Sequence, residues 1–310
     1  MSLFGCLTGI LIGMWIACLP AHAAPVKAFV SITPQQYFVQ KIGGDLVEVS
    51  VLVPPGADPH TYEPKPRQMA ELAKTAVYFA IGIDFEKAWM QKVAATNRSL
   101  RIVKTDAGIE KTPLAAHSHH ADVRGHRASH DQKGPASDSA KTSHDHREGA
   151  PDPHIWLSPP LVKTQARHIA DALAAVDSAN RTRYEENLSA FLGEIDALDA
   201  ELRSMFTASP RARFIVFHPS WGYFARAYGL EQIPIEIEGK DPKPAQLREL
   251  IQHAREQGIK VVFVQPQFST KSAEMVAREI GGQVVAVDPL AGNWAENLRM
   301  VGRKFKAAFP

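Results

Sequence analysis

Three histidines of this chain stand next to prolines, in positions that suit metal coordination. The tripeptide Asp-Pro-His occurs twice, ending at His60 and at His154, and His218 is followed directly by Pro219. Proline fixes the backbone φ angle at about −65° and removes a backbone donor, so it stiffens the chain beside each imidazole. A metal ligand benefits from this stiffness because its ring must point to a fixed place before the ion arrives. The pattern therefore predicts that these imidazoles bind a divalent cation.

The aspartates of the two tripeptides, Asp58 and Asp152, allow two interpretations. Each carboxylate could accept a hydrogen bond from the imidazole nitrogen that faces away from the metal, which is the usual support for a metal-bound histidine. Each could instead close an Asx-turn with the backbone N–H two residues later. The sequence leaves both interpretations open.

Asp288 is expected to complete the set of ligands. His218 follows an apolar strand predicted over 213–217, and Asp288 follows another predicted over 284–287. In open α/β sheets ligands bind beyond the carboxyl ends of strands, so the two side chains can meet on one rim. Three neutral imidazoles and one carboxylate make a four-coordinate site, with bonds of about 2.0–2.2 Å to Zn²⁺. The alternative role for Asp288 is the N-cap of the last helix, but Asn293 is better placed for that role.

Seven further histidines lie in a polar stretch over residues 117–150. The stretch contains no Phe, Trp or Tyr and shows no hydrophobic period. It cannot bury enough apolar surface to offset the cost of ordering, so we expect a mobile loop. The loop could bind metal weakly and raise its concentration near the main site, or it could be a solvated spacer. Its histidines are His117, His119, His120, His126, His130, His144 and His146.

The elements around these residues alternate between strand and helix, which predicts α/β layers with mostly parallel sheets. The two halves of the chain follow the same order, so we expect two similar α/β lobes with the metal in the cleft between them. The predicted strands cover 26–32, 47–53, 76–81, 100–103, 213–217, 233–237, 261–264 and 284–287, and the predicted helices cover 34–42, 65–74, 85–95, 161–176, 180–206, 220–228, 244–257, 271–280 and 294–307.

One long helix is predicted between the two halves. From about Asn180 to Phe206, apolar residues recur every three or four positions, which places them on one face of a helix. At 1.5 Å per residue this helix would be about 40 Å long, enough to span two lobes as a stiff connector. The predicted organisation is an N-terminal lobe over 24–178, a connecting helix over 179–207 and a C-terminal lobe over 208–310.

The N-terminus has the pattern of a secretory signal peptide. Residues 3–19 are nearly all apolar or small, and Ala21-His22-Ala23 is a pattern that a signal peptidase can cut, so residues 1–23 are excluded from the fold. No Lys or Arg precedes the apolar run, which is atypical of a signal peptide. An uncleaved membrane anchor is the alternative, although the run is at the short end for a membrane span. Both cysteines lie in this segment, and lipid attachment at Cys18 is a further alternative. The mature chain has no thiol, so a metal site must use histidines and carboxylates.

Composition narrows the class of protein. The chain has 310 residues, of which 45% are hydrophobic and 22% charged, and its formal net charge is +2. These values are typical of a soluble globular protein with room for two domains. The near-neutral balance gives no reason to expect a nucleic-acid partner.

Four stretches of the chain resemble the metal-binding receptors of ABC importers for zinc and manganese. The resemblance covers the whole mature chain, with the stretches in family order. It implies two α/β lobes joined by one long helix, and it places the four metal ligands at His60, His154, His218 and Asp288. The His-rich insertion between the first two ligands is similar to that of the zinc branch. The matching stretches are residues 53–64, 152–159, 218–224 and 288–290.

The resemblance implies a monomeric periplasmic receptor that captures Zn²⁺ and delivers it to an ABC-type membrane permease, without catalysing a reaction. Manganese members of the family commonly have a carboxylate at the position of His218, and a third imidazole suits zinc better. A manganese or iron receptor, and a secreted zinc buffer or adhesin without a transporter, remain alternatives. A secreted zinc hydrolase is disfavoured, since catalytic zinc keeps an open position and the chain has no His-Glu-x-x-His motif.

Overall fold

Residues 24–114, 150–237 and 240–309 are described by the structure, which is a computed structural model. The predicted signal peptide over 1–23 lies outside the described residues. So does the predicted loop over 117–150, except for its last residue, and with it all seven of its histidines. Within the three described ranges, no helix is both long and apolar enough to cross a membrane.

The N-terminal lobe is a four-stranded parallel sheet in the order β2-β1-β3-β4, packed against helices. All four residues of β3 are buried, as expected for an inner strand that is covered on both faces, whereas the ends of the edge strand β4 are exposed. Its elements are β1 Val26–Val30, α1 Thr33–Gly43, β2 Val47–Val51, α2 Pro66–Leu72, β3 Val77–Ala80, α3 Asp84–Thr96, β4 Arg101–Lys104 and α4 Pro159–Val176.

The C-terminal lobe repeats this arrangement after the connecting helix α5, which spans Arg181–Phe206. Its parallel sheet has the order β6-β5-β7-β8, the same pattern as the first lobe. The predicted pair of similar α/β lobes is therefore confirmed. The elements are β5 Arg213–Val216, α6 Gly222–Ala227, β6 Glu231–Pro234, α7 Pro244–Glu256, β7 Val261–Val264, α8 Lys271–Glu279, β8 Gln283–Ala286 and α9 Trp294–Ala308.

Strand β6 lies earlier in the chain than the predicted 233–237. Its register is set by β5, where Arg213 pairs with Glu231 and their side chains form an ion pair at 2.7 Å. Pro234 can end this strand because β6 is at the edge of the sheet, where a missing N–H is tolerated. Beyond Pro234 the chain stays beside β5, since the N–H of Glu236 donates to the carbonyl of Phe217 at 3.0 Å. This course brings Glu236 next to Phe217, which precedes His218 in the chain.

The connecting helix α5 has 26 residues, which corresponds to a length of about 39 Å. It packs against α1 and α4 of the N-terminal lobe and against α9 of the C-terminal lobe, as predicted for a connector. Its buried face belongs to a hydrophobic core that continues from one lobe into the other. The rings of Phe38 in α1 and Trp294 in α9 meet edge to face across this junction, with centroids 5.1 Å apart.

Candidate metal centre

His60, His154 and His218 converge at the cleft between the lobes. One ring nitrogen of each lies within 4.8 Å of the corresponding nitrogens of the other two. The Nε2 atoms of His154 and His218 are 3.4 Å apart. His154 and His218 are buried, and His60 is partly exposed. The structure thus brings together three of the four ligands that the sequence suggested, two from the N-terminal lobe and one from the C-terminal lobe.

The positions of these histidines follow from the ends of neighbouring elements. His60 lies in the turn between β2 and α2, and His154 directly precedes a short 3₁₀ turn over Ile155–Leu157. His218 comes two residues after β5, at the carboxyl edge of its sheet. Its backbone is fixed by Gln265, which accepts the His218 N–H at 3.2 Å and donates to the His218 carbonyl at 2.7 Å.

Two of the imidazoles are held by buried carboxylates. Asp152 Oδ1 lies 2.7 Å from Nδ1 of His154, and Glu236 Oε2 lies 3.1 Å from Nδ1 of His218. A carboxylate next to Nδ1 favours the tautomer that carries its proton on Nδ1. The lone pair of Nε2 is then free to bind a metal ion. Both Nε2 atoms point into the cleft, toward each other. The two lobes therefore present an imidazole in the same chemical state.

Asp58 does not repeat the role of Asp152. Its Oδ1 accepts the backbone N–H of His60 at 2.9 Å, and its Oδ2 accepts the hydroxyl of Thr61 at 3.0 Å. This is the Asx-turn interpretation of the tripeptide. In the second tripeptide Asp152 closes the same kind of turn and also contacts the imidazole ring, because its Oδ1 accepts the His154 N–H at 2.9 Å and lies beside Nδ1. Identical tripeptides thus differ in how firmly they hold their imidazoles.

The pKa values of two histidines are lowered. Burial, followed by the neighbouring imidazoles of His154 and His218, lowers the pKa of His60 from 6.5 to about 4. Burial also lowers the pKa of His154, against the opposing effect of Asp152. Lowered values keep these rings neutral in mildly acidic solution. Neutral imidazole is the form that binds a metal ion.

The distances among the histidines suit a tetrahedral ion. Zn–N bonds of 2.0–2.1 Å imply a separation of about 3.3–3.4 Å between two ligand nitrogens of a tetrahedron. The Nε2 atoms of His154 and His218 already have this separation, at 3.4 Å. The nitrogen of His60 lies within 4.8 Å of the other two, so a small shift at most brings it to the same separation. The C-terminal and N-terminal lobes are therefore almost in place for a shared ion.

Asp288 is not one of the groups within 4.8 Å of each other, although the two residues that follow it, Pro289 and Leu290, border the cavity between the histidines. Its Oδ1 accepts two hydrogen bonds, from Nε2 of Gln267 at 2.8 Å and from the backbone N–H of Leu290 at 2.9 Å. Its backbone carbonyl accepts a bond from Asn297 of α9 at 2.7 Å. The described residues donate no hydrogen bond to Oδ2, so this oxygen keeps its electron pairs.

The space between the histidines is small. A cavity of about 10 Å³ is bounded by the three rings together with Trp156, Gln267, Phe268 and nearby prolines. Phe268 stacks on the His218 ring with centroids 4.7 Å apart. A volume of this size holds about one water-sized particle, so the site can take an ion and excludes an organic substrate.

Other histidines and another cavity lie apart from this cluster. His168 and His253 are half-buried in their helices, and Nδ1 of His168 is 3.1 Å from the carbonyl oxygen of Thr105. A cavity of about 550 Å³ beside α3 is bordered by Met90, Lys104 and Pro153, but by none of the three clustered histidines. The described residues give neither feature a part in holding the ion.

Glu236 and Gln267 are two polar residues at the site that sequence reasoning missed. Both follow strands of the C-terminal sheet, β6 and β7, that neighbour the strand before His218. Their position at the carboxyl edge was a usable indication, because ligand sites gather there. Because the strand was predicted to end at residue 237, Glu236 was placed inside the strand rather than at its carboxyl end.

Comparison with known proteins shows similarity along both lobes. The model of a family described as zinc-uptake complex component A, periplasmic, matches residues 29–308. The chain is 28% identical over 263 residues to the high-affinity zinc uptake system protein ZnuA of Bacillus subtilis strain 168, which covers 84% of this chain and 76% of that protein. It is also 28% identical over 278 residues to the iron-binding protein YfeA of Yersinia pestis, covering 87% of this chain and 80% of that protein.

A solved structure is similar as well. A crystal structure of ZnuA superposes on the chain with a TM-score of 0.80 and 45% sequence identity, covering 92% of this chain and 100% of that one. At this identity and coverage the likeness extends to both sheets and the helix between them. The arrangement of lobes described above is therefore shared with that protein.

Proposed function

The chain belongs to the family of periplasmic zinc-uptake complex components, and from that premise we propose that it captures Zn²⁺ with His60, His154 and His218. It is a metal-binding receptor of a transport system, and not an enzyme. The observation that carries the proposal is the convergence of three imidazole nitrogens within 4.8 Å at the junction of two lobes. Two of these nitrogens are already at the separation that tetrahedral zinc requires.

Asp288 is proposed as the fourth ligand, through its Oδ2 atom. Support comes from its place after β8, next to Pro289 and Leu290, which border the cavity, and from an Oδ1 atom that is already engaged by Gln267 and the N–H of Leu290. Coordination through one oxygen would complete a four-coordinate site of three nitrogens and one oxygen. Such closed sites bind zinc tightly and leave no position for a catalytic water.

Zinc is the proposed cargo rather than manganese or iron. Three imidazoles with a single carboxylate oxygen suit zinc, whereas manganese prefers oxygen-rich, six-coordinate surroundings. The similarity to a protein named for iron binding keeps iron as the second candidate. Competition between Zn²⁺, Mn²⁺ and Fe²⁺ for the purified protein shows which of these ions it binds most tightly.

Delivery to an ABC-type permease from the periplasm is the proposed context. Proteins of this family act with such permeases, and the A-x-A pattern after an apolar N-terminal run suits export with cleavage near residue 23. We further propose a monomer organised as lobes over 24–178 and 208–310 with a connector over 179–207. The histidines of the 117–150 stretch are proposed to bind zinc only weakly, as an auxiliary to the main site.

A calorimetric titration of the metal-free protein tests the proposal. We expect one tightly bound Zn²⁺ per chain, in both the full chain and a variant that lacks residues 117–149. A chain without a tight site would contradict the receptor function, and loss of the tight site in the shortened variant would assign primary ligands to the loop. Growth of a deletion strain under a zinc chelator distinguishes a receptor, whose loss starves the cell, from a buffer, whose loss sensitises it to excess zinc.

A further inference from the structure

The loop between β7 and α8 contacts both proposed metal ligands of the C-terminal lobe, His218 and Asp288. Gln265 fixes the backbone of His218, and Phe268 stacks on the ring of His218. Gln267 reaches the other side of the site, where its Nε2 donates to Oδ1 of Asp288 at 2.8 Å. This six-residue stretch, 265–270, is therefore part of the site although it supplies none of the proposed ligands.

Gln267 holds an unusual position for an amide. Its side chain borders the small cavity between the three histidines. Its carbonyl oxygen Oε1 is buried and has no hydrogen-bond partner among the described residues. Burying an acceptor without a partner is unfavourable, and a hydrogen bond to a charged group offsets this cost. The hydrogen bond from Gln267 to Asp288 therefore offsets the unfavourable burial of the Gln267 carbonyl oxygen.

The Asp288 carboxylate is left with one available oxygen. Gln267 and the N–H of Leu290 both donate to Oδ1, so that atom has two donors at 2.8 and 2.9 Å. A metal ion that approached Oδ1 would have to displace them, whereas Oδ2 receives no hydrogen bond from the described residues. Asp288 is therefore prepared to bind an ion through a single oxygen.

We propose that Gln267 is a specificity-determining residue, which restricts Asp288 to one-oxygen coordination and so favours zinc over larger divalent ions that prefer oxygen. Zinc is satisfied by four ligands in a tetrahedron. Manganese requires more ligands and prefers oxygen, and a carboxylate that binds through both oxygens supplies one more of them. By occupying Oδ1, Gln267 withholds that extra ligand. This inference rests on the proposed function and on Asp288 as a ligand.

A metal competition with Gln267→Leu and Gln267→Asn tests the inference. Leucine removes the amide at similar size, and asparagine keeps an amide that is too short to reach Asp288. In both variants we expect the ratio of Mn²⁺ to Zn²⁺ affinity to rise by about tenfold, the low end for loss of a partner that orients a ligand. The visible absorption of the Co²⁺-loaded protein should weaken, since the four-coordinate ion absorbs more strongly than ions with more ligands.

Two controls accompany these variants. One is a double variant that combines the Gln267 substitution with Asp288→Ala, and the other is Gln252→Leu, at an exposed position. The rise in the ratio should vanish when Asp288 is absent. Gln252→Leu should behave as the unaltered protein does, because the side chain of Gln252 bonds to Glu256 on the surface of α7, and to no other described residue. An unchanged ratio, or a rise that persists without Asp288, overturns the role of Gln267. Failure of the unaltered protein to bind Zn²⁺ in the same titration would instead overturn the proposed function.

Discussion

The Nε2 atoms of His154 and His218 lie 3.4 Å apart, although 64 residues separate them in the chain and they come from different lobes. Each ring is turned by a buried carboxylate on its other nitrogen, Asp152 for His154 and Glu236 for His218. The two lobes therefore orient their histidines in the same way, each through a buried carboxylate bonded to Nδ1.

Replacing His218 by alanine removes the only proposed imidazole of the C-terminal lobe. We expect zinc affinity to fall by at least about tenfold, since even the loss of a partner of a ligand has that effect. Competition with a chromogenic chelator measures the change. His253→Ala is the matched control, because His253 lies in α7 away from the cluster, and equal losses in the two variants would argue against a ligand role for His218.

The two Asp-Pro-His tripeptides should respond differently to the same substitution. Asp152→Asn removes a carboxylate that contacts the His154 ring, so zinc affinity should fall by about 10–100-fold. Asp58→Asn keeps an acceptor for the Asx-turn and touches no ring, so it should change affinity by less than about threefold. Zinc titration of both variants gives the comparison. Equal losses would show that the ring contact of Asp152 is unimportant.

Glu236→Gln should weaken zinc binding without unfolding the protein. The amide has the same shape and can still accept the Nδ1 proton of His218 through its oxygen, but it no longer carries the charge that increases the basicity of the ring. We expect a loss of about tenfold with an unchanged denaturant midpoint of the metal-free protein. Glu231→Gln, at the outer end of β6, is the control. An affinity equal to that of the unaltered protein would remove Glu236 from the site.

Acid should destabilise the metal-free protein through His60. Its pKa is about 4 in the folded chain and 6.5 in the reference state. The unfolded chain therefore binds the extra proton between these values, and the free energy of unfolding falls as the pH is lowered from about 6.5 toward 4. Each pKa unit corresponds to about 1.4 kcal/mol, so the change from 6.5 to about 4 corresponds to a loss of roughly 3 kcal/mol by pH 4. His154, whose pKa is also lowered, adds to the loss in the same direction.

Urea unfolding at pH 7, 6, 5 and 4 in the presence of a chelator measures this dependence. His60→Gln cannot take up the proton, so its stability should fall less steeply over that range. Parallel pH profiles of the two proteins would mean that His60 is not held neutral by burial and by its imidazole neighbours.

Much of the fold was accessible from the sequence because apolar strands and amphipathic helices have distinct periods. The helix over Arg181–Phe206 was predicted at about 180–206, since its buried positions repeat at helical spacing. Boundaries were weaker where the sheet decides them. Strand β6 begins at Glu231 rather than 233 because of its register with β5, and register is a tertiary property.

The candidate site divides in the same way. The three histidines could be found because proline and repetition mark them in the sequence. Glu236 and Gln267 carry no local mark, since their roles arise only when neighbouring strands of one sheet end at the same edge. The difference between Asp58 and Asp152 is also invisible in the sequence, because the tripeptides are identical and only the fold orients one carboxylate toward a ring.

The junction between the lobes limits how the protein can signal that it is loaded. The core runs through α5 from one lobe to the other, and Trp156 and Trp294 add hydrogen bonds across it, from Trp156 Nε1 to the Pro289 carbonyl at 2.8 Å and from Trp294 Nε1 to the Trp156 carbonyl at 2.7 Å. A wide opening would break these contacts. Any membrane protein that distinguishes the full form from the empty one would therefore have to sense small local displacements around the cleft, rather than a change in the overall shape of the protein.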